Sequence, residues 1–174
     1  GQARRVSIAR ALALRPDIII ADEPTAGLDV SVAAGILNLM KDLRDKFNLT
    51  YIIITHDLNV VSYIADRVAV MYLGKFVEVA PTEELLSQPN HPYTEALLSA
   101  VSVPDPSLRG KNQRIILKGE IPNPRNIPSG CPFHLRCPYK NQGCVERVPL
   151  LKESTNEHLV ACHYAGRYNN MKLT

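Results

Sequence analysis

Two short runs of mostly β-branched residues each stop abruptly in a polar pair. Ile18-Ile19-Ile20-Ala21 leads directly into Asp22-Glu23, and Tyr51-Ile52-Ile53-Ile54-Thr55 leads into His56-Asp57. Runs this short and this uniformly apolar read as strands covered on both faces, the pattern of a parallel sheet. Between them Val32, Ile36, Leu39, Met40, Leu43 and Phe47 fall on one helical face, with Asp29 or Ser31 placed to cap it. Ahead of the first run, Val6, Ile8, Ala9, Leu12 and Ala13 form another helical stripe, which Arg15-Pro16-Asp17 ends. A short helix through Val60, Val61 and Ile64 follows the second run. Residues Val68 to Tyr72 and Lys75 to Val79 then flank Gly74 as in a hairpin. This alternation predicts an α/β domain with an at least partly parallel sheet.

After Pro81 the pattern changes. Thr82 to Leu86 and Tyr93 to Val101 read as two short helices, and seven prolines between Pro104 and Pro138 exclude long ones. A boundary is expected near residue 80, dividing residues 1–80 from 81–174, with a cysteine-bearing unit from residue 110 or so onward. The 174 residues suffice for one domain, or one with an appendage. A net charge of +3, with no basic stripe interleaved by aromatics, argues against nucleic acid as a partner. No apolar run is long enough for a membrane-spanning helix, and nothing resembles a signal peptide. Without an initiating Met, the chain reads as a piece of a longer protein.

In open α/β sheets, ligands sit beyond the carboxyl ends of the strands, where Asp22-Glu23 and His56-Asp57 lie. Two adjacent carboxylates stay ionised cheaply only beside a cation, so a divalent metal is the natural neutraliser. A hard ion such as Mg²⁺ takes one or two carboxylates together with substrate phosphates. The second carboxylate is then available to deprotonate water, and a nearby His to contact a phosphoryl oxygen. Asp-Glu-Pro alone is commonly a turn or helix cap, and a lone His after a strand is commonly structural. The two sets together, after two successive apolar runs, point to phosphate chemistry.

Taken in order, GQARRVSIARAL, IIIADEPTAGLD and YIIITHDL resemble the second half of an ABC-type ATPase domain over roughly residues 1–80. Gly1-Gln2 resembles the end of the signature motif, Ile18 to Glu23 the Walker B strand with the catalytic Glu, Ala26 to Asp29 the D-loop, and His56 the switch histidine. The resemblance implies that Asp22 holds Mg²⁺ through water, Glu23 is the general base and His56 contacts the γ-phosphate of ATP. It implies that Asp29 couples the two sites of a dimer. Gly1 and Gln2 would open a helix whose N–H groups face ATP bound to the partner subunit. Arg4 stands where many relatives have Gln, and Gly27 where Ala is common; neither removes an implied role. No G-x-x-x-x-G-K-[ST] loop occurs, nor the family's Q-loop or adenine-stacking aromatic. This chain by itself is therefore expected to bind ATP poorly and to hydrolyse it negligibly, the function belonging to a longer parent.

Four cysteines, all after residue 130, have the spacing C-x5-C-x6-C-x17-C. Such a cluster without a secretion signal marks a metal more often than disulfides. Zinc and iron–sulfur clusters both fit four thiolates, although the paired C-x2-C of zinc ribbons is missing. Four reduced cysteines in a small core are the plain alternative. NHPYTEALLSAV, RIILKGEIPNP and PSGCPFHLRCP resemble the C-terminal extension of the oligopeptide and dipeptide importer ATPases, over about residues 85 to 165. That resemblance implies a [4Fe-4S] cluster on Cys131, Cys137, Cys144 and Cys162, read as a staple for a proline-rich unit with little core of its own.

The fold implied is the C-terminal half of an ABC-type, RecA-like nucleotide-binding domain with a small cysteine-bearing extension. The implied function is ATP hydrolysis powering import of peptides, or a related solute such as nickel, through a membrane permease. A second ATPase subunit, transmembrane permease subunits and, indirectly, an external solute-binding protein are the implied partners. The location implied is the cytoplasmic face of the cell membrane. RVAVMYLGKFVE and RIILKGEIP lean toward the second of two ATPase subunits. Two other classes compete: a soluble ABC-type ATPase acting on nucleic acid or ribosomes, and an iron–sulfur electron carrier. The first lacks the HPYTEALLSAV and CPFHLRCP extension, and the second leaves Asp22, Glu23 and His56 unexplained.

Overall fold

A computed structural model describes residues 1–101, 114–155 and 157–166. The chain forms two compact units, Gly1–Ala65 and the residues from Asp66 onward. The sequence boundary near residue 80 falls instead at the end of a strand inside the second unit.

In the first unit the order is α1 (Gln2–Leu12), β1 (Ile18–Asp22), α2 (Val30–Phe47), β2 (Thr50–Ile54) and α3 (Leu58–Ile64). β1 and β2 pair in parallel, with Ile18 opposite Thr50 and Asp22 opposite Ile54. The parallel pairing requires a crossover, which α2 provides. Ile36, Leu37 and Met40 of α2 form a core with Val60 and Ile64 of α3, against which Ile8, Ala21, Leu28, Tyr51 and Ile53 pack. Asn48, in the left-handed conformation at φ 51°, ends α2. Leu37 joins this core, whereas Phe47, expected on the buried stripe, is half exposed.

The expectation that both faces of these strands are covered is not met within this unit. Ile18, Ile20, Ile52 and Ile54 are 50–67% exposed, while the alternate residues Ile19, Ala21, Tyr51 and Ile53 are partly buried. Strand side chains alternate between faces, and the core of α2 and α3 packs residues of one face only. A continuous apolar run does not reveal which of its two faces a helix will cover. The stripe on α1 is likewise shallow: none of its residues is buried.

In the second unit the order is β3 (Arg67–Tyr72), β4 (Lys75–Pro81), α4 (Thr82–Ser87), α5 (Pro92–Ser99), α6 (Gln142–Glu146), β5 (Lys152–Thr155) and β6 (His158–Val160). The sheet order is β3-β4-β6-β5, antiparallel throughout. The β3–β4 hairpin turns through Leu73 and Gly74, both at positive φ (46° and 74°), as a two-residue type I′ loop requires. The short helices expected after Pro81 are present as α4 and α5, with Pro92 at the start of α5, where its missing N–H is harmless.

α6, β5 and β6 were not foreseen. The segment carrying the cysteines also has more core than expected. Buried Phe133 meets Tyr72 and Tyr93 at ring-centroid distances of 5.2 and 5.4 Å, within a cluster that includes Val70, Val77, Ala80 and Leu85. Cys131 and Cys137 pack against this cluster.

Candidate functional site

The polar residues at the ends of β1 and β2 are brought together. Glu23 continues the ladder by donating its backbone N–H to the Ile54 carbonyl at 2.8 Å. Its own backbone then turns into the left-handed region at φ 45°, which costs an L-residue about 1–2 kcal/mol. Such conformations collect at functional sites. Glu23 Oε1 lies 2.7 Å from His56 Nδ1. This hydrogen bond, and next the charge of Glu23, raise the His56 pKa above its ordinary value, with Asp57 adding to the effect. The imidazole is 85% exposed, so its far edge is open to a ligand. Asp22 ends β1, also exposed.

Asp29 is placed by local chemistry. It caps α2, accepting the Val32 N–H at 2.9 Å and the Ser31 hydroxyl at 2.7 Å. These bonds, Ser31 first, lower its pKa. Gly1 caps α1, and Gln2 is that helix's first residue. A Cβ on Gly1 would stand 2.9 Å from Val32 Cγ1, so the starts of α1 and α2 lie side by side. Gly1, Gln2 and Asp29 thus occupy one corner of the unit, and Glu23 and His56 form a separate pair at the strand ends.

In the second unit, Cys131, Cys137, Cys144 and Cys162 all line one cavity, together with His91, Phe133 and Tyr164 among others. The Cys131 N–H donates to the Cys144 carbonyl at 2.8 Å, and Asn141 caps α6 by accepting the Cys144 N–H at 3.3 Å. Gly130, at φ 67°, makes this approach possible, because a Cβ there would lie 2.4 Å from the carbonyl oxygens of Cys144 and Val145. All four cysteines are free thiols. Burial pushes Cys137 up to about 12 and Cys162 up to about 11, and raises Cys131 as well. Buried thiols of this kind stay protonated unless a metal takes the place of the proton.

Among the described residues, no three His, Cys, Asp or Glu side chains converge where a single ion could be held. One zinc ion needs its sulfurs drawn to one point, about 2.3 Å away. A four-iron cluster takes one thiolate at each iron. The Tyr164 N–H donates to Cys162 Sγ at 3.4 Å, a contact that suits an anionic sulfur.

A third constellation was missed. Glu78 and His158 are both fully buried, with His158 Nε2 2.7 Å from Glu78 Oε1. The other ring nitrogen lies 2.9 Å from Glu84 Oε1. Both ring nitrogens thus face carboxylates, and the Asn90 side-chain nitrogen also lies 3.3 Å from Nδ1. Glu78 also accepts the backbone N–H groups of Asn90 and His91, at 2.5 and 3.1 Å. The available signal was a carboxylate between Val77 and Val79 in the otherwise apolar stretch Phe76 to Pro81.

Residues 77–144 match the family model described as the oligopeptide/dipeptide transporter C-terminal region. The chain is 54% identical over 163 residues to the oligopeptide transport ATP-binding protein AppF of Bacillus subtilis, covering 94% of this chain and 50% of that protein. It is 51% identical over 164 residues to the dipeptide transport ATP-binding protein DppF of Haemophilus influenzae, with the same two coverages. The chain therefore spans about half the length of the curated relatives it matches. Among solved structures, the ADP conformation of MJ1267, an ATP-binding cassette of an ABC transporter, aligns with 57% of this chain and 39% of that one, at 30% identity and a TM-score of 0.49. Over most of its length the chain is thus similar to one half of oligopeptide and dipeptide transport ATP-binding proteins, and residues 77–144 match the C-terminal region model.

Proposed function

We propose that this chain supplies the hydrolytic carboxylate of an ATPase subunit that drives peptide import through a membrane permease. The observation that carries the proposal is the 2.7 Å pair between Glu23 and His56 at the ends of two parallel strands, beside Asp22. Mg²⁺, held by Asp22 through water, would neutralise phosphate charge there. Glu23 takes the proton of the attacking water as general base. His56 keeps Glu23 in place through Nδ1–H and offers Nε2–H to a phosphoryl oxygen, and its raised pKa favours the doubly protonated ring that does both. The Asp29 cap and the Gly1–Gln2 helix start are the surfaces assigned to the second ATPase subunit, the helix N–H groups facing its nucleotide.

The relatives' names, oligopeptide and dipeptide transport, support a peptide as the solute and a permease as the partner. No described helix is long and apolar enough to cross a membrane, so membrane spans are assigned to the permease subunits. An external solute-binding protein acts on the far side, and the working position is the cytoplasmic face. Residues 1–80 form the ATPase part in this reading, and residues 81–174 the extension. The match over residues 77–144 favours it over a soluble ATPase acting on nucleic acid or ribosomes.

The extension's part in the proposal is a [4Fe-4S] cluster on Cys131, Cys137, Cys144 and Cys162. It is supported by the shared cavity and by the chemistry of four free thiols. A bound cluster would supply a covalent tie among the Cys131 loop, α6 and the segment after β6.

Peptide uptake by vesicles carrying the intact transporter tests the central assignment. Glu23→Gln is expected to abolish ATP-dependent uptake while the assembled complex remains intact. Uptake at the wild-type rate would remove Glu23 from the mechanism.

A further inference from the structure

The second unit holds a cavity of about 490 Å³ that shares no residue with the four-cysteine cavity. Leu97 and Ala100, together with Ile115 and Leu117, supply apolar lining, and Arg114 and Arg136 are its charged residues. Sites for small molecules occupy roughly 300–1,000 Å³, so the space suits a ligand of that kind. Its lining is tied down. Leu97 and Leu117 pack against the core cluster that contains Leu85 and Phe133. Ser99 Oγ accepts the Ile115 N–H at 3.0 Å and donates to the Ala96 carbonyl at 2.7 Å, which fastens Ile115 to the end of α5. Arg136 is placed through its backbone, whose N–H donates to the carbonyl of buried Phe133 at 3.0 Å. Its Nε is buried and meets no acceptor. A guanidinium keeps its proton, so this group is a permanent cation with an unanswered donor. Native proteins rarely leave such a donor unexplained, and a charged one is costly to bury without a counter-charge. Arg114, exposed, adds a second positive charge at the same cavity, and no carboxylate among the described residues lines it.

We propose that this cavity binds an aliphatic carboxylate, with its charged head at Arg136 and Arg114 and its chain against Leu97, Ala100, Ile115 and Leu117. The two ends of such a ligand answer the two chemistries of the lining. The planar fork of an arginine matches a carboxylate at two points, and the remaining lining is hydrocarbon. A phosphate carries further oxygens, and no hydroxyl or amide side chain among the described lining residues is there to receive them. A short peptide would bring an ammonium group along with its carboxylate, and the same lining offers that group no acceptor. The source assigned is therefore a free aliphatic acid. This site is independent of the Glu23 and His56 assignment and of any metal at the cysteines.

Calorimetric titration of the intact subunit with octanoate tests the proposal, beside octanol, octylammonium and leucyl-leucine as ligands of other charge. Octanoate is expected to bind, and octanol and octylammonium to bind at least ~10-fold more weakly, because a hydrogen-bonded charge is lost or reversed. Arg136→Gln is expected to weaken octanoate by a similar factor and to leave octanol unchanged. A second readout needs no variant: the methyl resonances of Leu97, Ile115 and Leu117 in the wild type should move as octanoate is added. Octanol bound as tightly as octanoate, octanoate affinity undiminished in a folded Arg136→Gln protein, or stationary methyl resonances would each overturn the proposal. Leucyl-leucine bound more tightly than octanoate would overturn the free acid as the source and give the same cavity to a peptide carboxylate.

Discussion

Glu23 and His56, 33 positions apart in sequence, meet at 2.7 Å between Oε1 and Nδ1. The parallel register of β1 and β2 produces this meeting, since the Glu23 N–H bonds to Ile54 and His56 follows two residues later. Neither residue needs its neighbours to rearrange in order to find the other.

The pair has a titration signature. His56 is held above its ordinary value of 6.5, by the Glu23 hydrogen bond first and its charge second. A raised histidine pKa contributes stability that is full below the unfolded value of 6.5 and is lost as pH rises through the higher folded value. NMR titration of the His56 ring should give a midpoint above 6.5 that falls in Glu23→Gln. An unchanged midpoint would mean the pair does not persist in solution.

The Glu78–His158 pair should matter for stability. Removing one partner of a buried hydrogen bond strands the other and costs about 1–3 kcal/mol. Glu78→Ala also leaves the Asn90 and His91 N–H groups without their acceptor. Chemical denaturation is expected to show a loss of that size. On the acid side, the His158 hydrogen bond lowers the Glu84 pKa below its ordinary 4.5, so this contribution is present above 4.5 and is lost as pH falls through the folded value. Acid unfolding should therefore begin at higher pH in Thr155→Val, which removes the second hydrogen bond that holds the carboxylate ionised.

Gly130→Ala tests how the cysteines are assembled. The new Cβ would meet two carbonyl oxygens at 2.4 Å in a backbone conformation that disfavours any side chain. Destabilisation greater than about 1 kcal/mol is expected in chemical denaturation. Full stability would show that Cys131 and Cys144 are not held together by this approach.

The site at the strand ends was legible because polar residues that follow uniformly apolar runs stand out and because a parallel sheet collects them at one edge. The burial of those strands was less legible: Ile18 and Ile20 are as apolar as Ile19, and only the three-dimensional placement of α2 and α3 distinguishes them. β6 has three residues, too few to establish an alternation, and its His158 is polar where a core residue would be sought. Glu78 illustrates the same limit, since the partners that make its burial tolerable come from positions 90, 91 and 158. Four cysteines could be counted, but their arrangement around one cavity depends on the Gly130 turn and α6.

The most direct measurement is the rate of ATP hydrolysis by the intact subunit assembled with its partners, wild type against Glu23→Gln, with ATP affinity measured alongside. General-base catalysis contributes about 10²–10⁴-fold, so turnover should fall at least ~100-fold while ATP still binds. Turnover within a few-fold of wild type would contradict the assignment of Glu23 as the base.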